Sequence, residues 1–266
     1  MFITELPERR RVGSANIELL VKGQGRPIVF LHAGHGVDAD DPLVELLSRG
    51  HKIYAASHPG FGGSDLPPGV TTIDDLAYFY LDLLEDLDLR GVTLVGVSFG
   101  AWLALEIATK GSDRIDRLVL IDSVGVKFSD RETRDIADIY GYTIEELPAL
   151  FFKDVEKGLD AMGRLDFTNL DESSVLRFVR NRESLLLFGW SPTLYDPKLL
   201  QRLHRVKQPV LVLWGAEDKV VSVDYGRQLA AALPHARVEV VADTGHYGYL
   251  EQPKAFAEPI IQFLAQ

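Results

Sequence analysis

The stretch from Gly91 to Ala108, G-V-T-L-V-G-V-S-F-G-A-W-L-A-L-E-I-A, constrains the fold more than any other part of the chain. Val92, Leu94, Val95 and Val97 form a short apolar run suited to a strand buried on both faces. From Phe99 the spacing turns helical. Ser98 therefore falls at a strand-to-helix turn. Gly96 and Gly100 flank it at two residues on either side and remove the Cβ atoms that would crowd a tight turn. A G-x-S-x-G match by chance falls mostly in loops. Here a buried strand precedes it and a helix follows, which is the setting that exposes a nucleophilic hydroxyl.

A strand buried on both faces needs neighbours and two covering layers, and the rest of the chain supplies them. With 266 residues, 46% of them hydrophobic, it can bury a large core as one α/β domain carrying an insertion. Ile17–Val21 and Pro27–Leu31 read as strands joined by a Gly-bearing turn. The second runs into the small-residue loop His32-Ala33-Gly34-His35-Gly36, whose backbone N–H groups are little covered. Asp41-Pro42 opens a helix that stops by Gly50, and His51–Ala56 is the next strand, ending in the Gly- and Pro-rich loop S-H-P-G-F-G-G-S-D. Thr72–Leu89 reads as an amphipathic helix with a capping box from Thr72 and Asp75. Its acidic C-terminal turn, Glu85, Asp86 and Asp88, runs against the helix dipole. Ile115–Ile121 gives another buried strand, closing with Asp122. The alternation predicts a mostly parallel sheet with helices on both faces.

From Val126 to Arg202 the alternation stops. Helix-like segments over 131–140 and 172–188, rich in aromatics (Tyr140, Phe151, Phe152, Phe167, Phe178, Phe188 and Trp190 among them), predict an inserted helical cap over 126–202, between core segments 1–125 and 203–266. Most of those rings should pack the cap onto the core and a minority should line a ligand cavity. The sheet resumes at Pro209–Trp214, followed by a helix over Asp224–Leu233, a strand over Arg237–Val241 and a last helix from Pro253, which Pro259 should kink or break.

Composition narrows the partners. The chain has no cysteine, which excludes disulfides, thiolate nucleophiles and Cys-ligated zinc, and no His/Asp/Glu grouping has metal-ligand spacing, so neither metal nor cofactor is implied. A formal charge of −11 repels phosphate backbones and anionic lipid. The N-terminus has charges where a signal peptide needs an apolar core, and no run of about 18 apolar residues occurs. The expectation is a cytoplasmic protein with a small-molecule substrate, no nucleic-acid or membrane partner, and an oligomeric state left open.

A serine hydroxyl needs a base to take its proton and a third group to hold that base in one tautomer. Of seven histidines, His246 follows the last strand in a Gly-flanked loop, at the sheet edge where Ser98 emerges. Asp218 follows the strand ending at Trp214 and points to the same edge. With the order Ser98, Asp218, His246, the motifs G-V-S-F-G, H-A-G-H-G, H-P-G-F-G-G-S, W-G-A-E-D and G-H-Y resemble the α/β-hydrolase family of serine hydrolases over nearly the whole chain. The resemblance implies an oxyanion hole from the N–H groups of Phe99 and Gly34, with Ala33 standing where relatives carry Gly.

Other residues invite competing readings. Asp122 also ends a strand beside the site and is either the triad acid or a structural carboxylate. His35, Trp190 and Tyr247 are candidates for touching substrate; the blander reading of His35 is a solvated loop histidine. His32 should hydrogen-bond backbone within its loop. Arg177, Arg180 and Arg182 could clamp a substrate carboxylate or form a solvated helix face. The leading functional expectation is a carboxylic-ester hydrolase acting on a small, mainly apolar substrate. The alternative is hydrolysis of a carbon–carbon bond in a diketone-type, ring-cleavage substrate. Against the alternative, such enzymes resemble one another in carrying Trp directly after the catalytic His, where this chain has Tyr247. A non-catalytic ligand-binding receptor is the remaining reading, and it would need neither triad nor oxyanion loop.

Overall fold

The computed structural model describes residues 6–162 and 171–266. Phe167, one of the cap aromatics, lies outside them. The strands are β1 (Glu8–Val12), β2 (Ala15–Lys22), β3 (Pro27–Leu31), β4 (Lys52–Ala56), β5 (Val92–Val97), β6 (Ile115–Ile121), β7 (Val210–Gly215) and β8 (Ala236–Val241). They form one eight-stranded sheet in the order β1-β2-β4-β3-β5-β6-β7-β8. β1 and β2 are antiparallel at one edge, and from β4 to β8 all neighbours are parallel. Between them run α1 (Pro42–Leu47), α2 (Ile73–Asp86), α3 (Phe99–Thr109), α4 (Leu147–Phe151), α5 (Val155–Met162), α6 (Glu172–Gly189), α7 (Leu199–Arg202), α8 (Val223–Ala232), α9 (Gly248–Glu251) and α10 (Pro253–Leu264).

Period-two alternation builds both core layers from the same strands. Leu118 and Leu120 of β6 face the layer of α2, α3 and α8, whereas Val119 and Ile121 face the layer of α1, α9 and α10. Every residue of β5 and β7 is buried, which is why both read as nearly continuous apolar runs, with Thr93 the one polar residue of β5. The capping box of α2 forms as its sequence predicts: the Thr72 hydroxyl accepts from Asp75 N–H, and Asp75 accepts from Thr72 N–H. Its acidic end is met by Arg114, which donates to the Leu89 carbonyl at 2.9 Å and reaches Asp88 at 3.4 Å.

The structure departs from the sequence reading in four places. β1 (E-R-R-R-V) has no apolar signal because it is an edge strand with four exposed charged residues, which blunt the edge against further pairing. The Gly-bearing turn joins β2 to β3, but they are not neighbours, because β4 inserts between them. Residues 131–140 are not helical, and only Ile139–Gly141 makes a 3-10 turn. The Asp130 side chain takes the N–H groups of Glu132 and Thr133 and Asp135 takes those of Phe128 and Ser129, while Ile136 bridges to Val221, so side-chain and cross-chain partners outcompete the helix. Finally, α10 continues through Pro259; buried Phe256, Ala257, Ile260 and Phe263 hold it against the core on one face, and this packing outweighs the one lost backbone bond.

The cap occupies the connection between β6 and β7, with α4, α5, α6 and α7. Strand order sets the site beneath it. The chain passes from β3 outward to β4 and returns across β3 to β5, so the loops leaving β3 and β5 diverge at adjacent carboxyl ends and open a crevice there.

Candidate active site

Ser98 occupies the turn from β5 to α3 with φ of 51°, a left-handed conformation for a non-glycine residue. The turn is possible only because its flanks are bare. A Cβ on Gly96 would stand 2.6 Å from the Ala101 nitrogen, and one on Gly100 2.6 Å from the His32 carbonyl oxygen. Ser98 is buried with its Oγ 2.8 Å from His246 Nε2, and His246 Nδ1 lies 2.8 Å from Asp218 Oδ2. The other Asp218 oxygen accepts from Val220 N–H at 2.7 Å and Val221 N–H at 2.9 Å, which locks the carboxylate. With Asp218 accepting at Nδ1, the imidazole carries its proton there and presents a lone pair to the serine.

Asp122 does not reach the histidine. Its Oδ1 accepts the Gly215 N–H at 2.7 Å, pinning the turn that carries Asp218. Burial, with the Asp218 carboxylate beside it, pushes its pKa well above the carboxylate range. At this place the carboxyl orders the acid loop through Gly215 and makes no bond to His246.

The loop after β3 brings Gly34 beside Ser98, and both line a narrow space of about 10 Å³ with Phe99 and His246. Among the described residues neither Phe99 N–H nor Gly34 N–H has a hydrogen-bond acceptor. His32 and His58 stack under this loop with ring centroids 3.6 Å apart. Their partners fix the tautomers: His32 Nδ1 donates to the Ala33 carbonyl at 2.7 Å, and its Nε2 accepts from His58 N–H at 3.0 Å. His58 Nε2 donates to the His32 carbonyl at 3.0 Å, and its Nδ1 accepts from the Tyr80 hydroxyl at 2.5 Å. Burial lowers both pKa values, that of His32 to about 4. A depressed folded-state pKa means that the neutral ring favours the native state. Its contribution, complete above pH 6.5, is lost as pH falls toward 4. Glu106, raised by burial to about 7, and Asp41, raised likewise to about 6, act in the opposite sense, so ring signals report the pair better than a melting curve. In a long-range ¹H–¹⁵N titration His32 should keep its Nδ1 proton and neutral ring from pH 8 to about 5 and titrate near 4. A midpoint near 6.5 would contradict this packing.

A larger cavity of about 110 Å³ shares Gly34, Phe151, Leu185 and Tyr247 with that narrow space and is lined mainly by cap side chains, including Phe151, Phe152 and Phe178. His35 and Tyr247 line it, packed edge to face at 4.6 Å, and His35 Nε2 meets the Tyr249 hydroxyl at 3.1 Å. His35 is therefore a cavity residue rather than a solvated loop histidine, and burial lowers its pKa. Trp190 is not brought to this cavity; it is 58% exposed and packs against Tyr140 on the outer side of the cap. The three cap arginines separate. Arg177 forms an ion pair with buried Glu18, and Arg180 donates to the Ser64 carbonyl at 2.9 Å. Half-buried Arg182 lines the cavity against the Phe178 ring, and among the described residues no carboxylate pairs with it. Asn181, which the sequence reading passed over, also lines the cavity. Among the described residues no His/Asp/Glu cluster has metal-binding geometry, and no helix is long and apolar enough to cross a membrane.

Known proteins resemble this chain over nearly its whole length. The 2-hydroxy-6-oxo-6-(2'-aminophenyl)hexa-2,4-dienoic acid hydrolase of Metapseudomonas resinovorans is 25% identical over 264 residues, covering 96% of this chain and 89% of that one. The meta-cleavage product hydrolase CumD of Pseudomonas fluorescens IP01, solved as a mutant complexed with acetates, superposes with a TM-score of 0.78 at 22% identity over 98% of each chain. A thermophilic esterase from Thermogutta terrifontis superposes with a TM-score of 0.77 at 21% identity, over 97% of this chain and 98% of its own. The family described as alpha/beta hydrolase fold is matched from residue 26 to residue 253, a span that runs from β3 through the cap to the start of α10. That match, with the sheet order and the serine turn at its centre, makes this chain a member of the α/β-hydrolase family, a serine hydrolase with Ser98, His246 and Asp218 as its candidate triad.

Proposed function

We propose that this enzyme hydrolyses a carbon–carbon bond in a small anionic diketone-type substrate of the ring-cleavage dienoate class, in preference to a simple carboxylic ester. The observation that carries the reading is Arg182, a guanidinium at the wall of a mainly apolar cavity that shares Gly34, Phe151, Leu185 and Tyr247 with the narrow space at Ser98, with no carboxylate partner among the described residues. A guanidinium held there over the Phe178 ring can receive a substrate carboxylate as a charge-assisted pair, and a simple ester substrate brings no such anion. The Metapseudomonas relative, named for a dienoic acid, supports the same choice.

In this reading the dienol substrate first ketonises, losing its 2-hydroxyl proton and gaining one at C5, so that C5 is conjugated through the C3=C4 double bond to a 2-oxo group. Ser98 Oγ then gives its proton to His246 Nε2 and attacks the C6 ketone carbonyl, while the N–H groups of Phe99 and Gly34 receive the oxyanion. When the tetrahedral adduct collapses, the carbon–carbon bond breaks. Its electron pair leaves on the carbon fragment, delocalised as an enolate toward the 2-oxo acid end held by Arg182. His246 returns its proton to that fragment, and water then hydrolyses the acyl-serine by the same base. Asp218 keeps His246 oriented throughout, and His35 and Tyr247 shape the cavity wall.

Two substrates, a 2-hydroxy-6-oxo-dienoate and a short-chain aryl ester, separate this reading from esterase activity. The dienoate should win in kcat/KM, and Arg182→Met should raise its KM about 10- to 100-fold, the worth of one charge-assisted contact, while leaving the aryl ester unaffected. Esters hydrolysed at least a hundredfold better than the dienoate, or an unchanged dienoate KM in Arg182→Met, would return the assignment to a carboxylesterase, whose demands the largely apolar lining and Tyr247 also meet.

A further inference from the structure

The cap helix α6 lies on bare backbone. A Cβ on Gly36 would stand 2.6 Å from Asn181 Nδ2 and one on Gly60 2.8 Å from Ser184 Oγ, and one on Gly34 would collide with the Leu185 side chain. The glycines of the two loops thus admit a helix as well as a substrate. Along that contact Asn181, 4% exposed, makes two bonds at once. Its Nδ2 donates to the His35 carbonyl at 2.7 Å, and its Oδ1 accepts the Gly62 N–H at 2.8 Å. Since one partner is a carbonyl and the other an N–H, only one orientation of the amide satisfies both. The grip falls on a short turn. Gly36 N–H donates to the Ala33 carbonyl at 3.0 Å, and Gly34, which lines the narrow space with Ser98, lies inside the turn that this bond closes. The peptide that Asn181 holds is the one immediately after His35.

We propose that Asn181 is a positioning residue through which the cap sets the aim of the Gly34 N–H at the reacting carbonyl oxygen. This rests on the reading of Gly34 as an oxyanion donor given above. A donor contributes to catalysis only when held where the oxyanion forms. His32 and His58 fix the start of the loop bearing Gly34, and the cap amide adds a second constraint at the peptide after His35, on the far side of Gly34. Seating of α6 and competence of the oxyanion hole then become one event, and a cap displaced from the loop leaves the triad intact but the hole misaimed.

Asn181→Ala removes both bonds. Asn181→Asp matches the volume and keeps the acceptor for Gly62 N–H but loses the donor to the His35 carbonyl. Ser184→Ala removes a different cap–core bond, the one to the Gly60 carbonyl at 2.8 Å, and serves as the control. The measurements are the acylation rate with 4-nitrophenyl acetate, its KM, and inhibition by phenylboronic acid, whose tetrahedral adduct on Ser98 places an oxygen in the oxyanion hole. Both Asn181 variants should acylate about 10- to 100-fold more slowly with KM within about twofold, and the boronate inhibition constant should rise in proportion, while Ser184→Ala stays near the parent. The proposal is overturned if the Asn181 variants change only KM or melting temperature, if acylation falls without loss of boronate affinity, or if Ser184→Ala falls equally. A parent protein that neither acylates on Ser98 nor binds the boronate would instead sink the serine-hydrolase reading, and the inference with it. That failure is visible before any Asn181 variant is made.

Discussion

Ser98→Ala should reduce kcat by about 10⁶-fold, the largest effect expected of any substitution in the chain, with the fold retained. The hydroxyl is the group that bonds to the substrate, so its loss removes covalent catalysis altogether. Only the N–H groups of Phe99 and Gly34 and the cavity would remain to favour the transition state. Folding should survive because Ala meets the same left-handed backbone penalty as Ser at φ 51°, and the lost volume is one oxygen. The cost to stability is the partner lost by His246 Nε2, about 1 kcal/mol. Mass spectrometry after fluorophosphonate treatment should place a single adduct on Ser98 in the parent and none in the variant. Label on another residue, or retained turnover in the variant, would contradict the assignment.

Asp218→Asn should lower kcat by about 10⁴-fold, the second largest effect, because an amide at that place can donate to Nδ1 and so stabilise the tautomer whose Nε2 proton blocks the serine. Asp122→Asn is the instructive partner. Asp122 makes no bond to His246 and accepts the Gly215 N–H, a bond the Asn carbonyl oxygen can keep, so kcat should change by less than about tenfold. The pH profile divides them further: loss of Asp218 should alter the ionisation that governs kcat, whereas loss of Asp122 should leave it in place. A larger loss at Asp122 than at Asp218 would make the strand-end carboxylate the functional acid and the Asp218 turn structural.

The sequence by itself determined the parts of this protein that depend on local chemistry. The strand–Ser–helix turn is legible because a left-handed serine needs Gly96 and Gly100, and β5 and β7 because burial on both faces demands nearly continuous apolar runs. Asp218 and His246 stand out because a parallel sheet delivers every strand end to one edge. Tertiary structure alone decided what depends on partners distant in the chain. The strand order that places β4 between β2 and β3 follows from pairing, to which a turn sequence is indifferent. Three arginines within six residues of α6 look equivalent in the sequence, yet one neutralises buried Glu18, one caps a carbonyl and one is left at the cavity wall. Helix α6 departs from the usual pattern in part: Leu185 and Phe188 are buried, but so are Ser174, Asn181 and Ser184, while Leu176, Val179 and Leu187 are exposed, because part of the surface it docks on is glycine backbone that offers N–H and C=O groups. Periodicity reads apolar burial: it shows that 172–188 is helical but not that Asn181 and Ser184 face the core, since their partners lie in loops about 120 or more residues away.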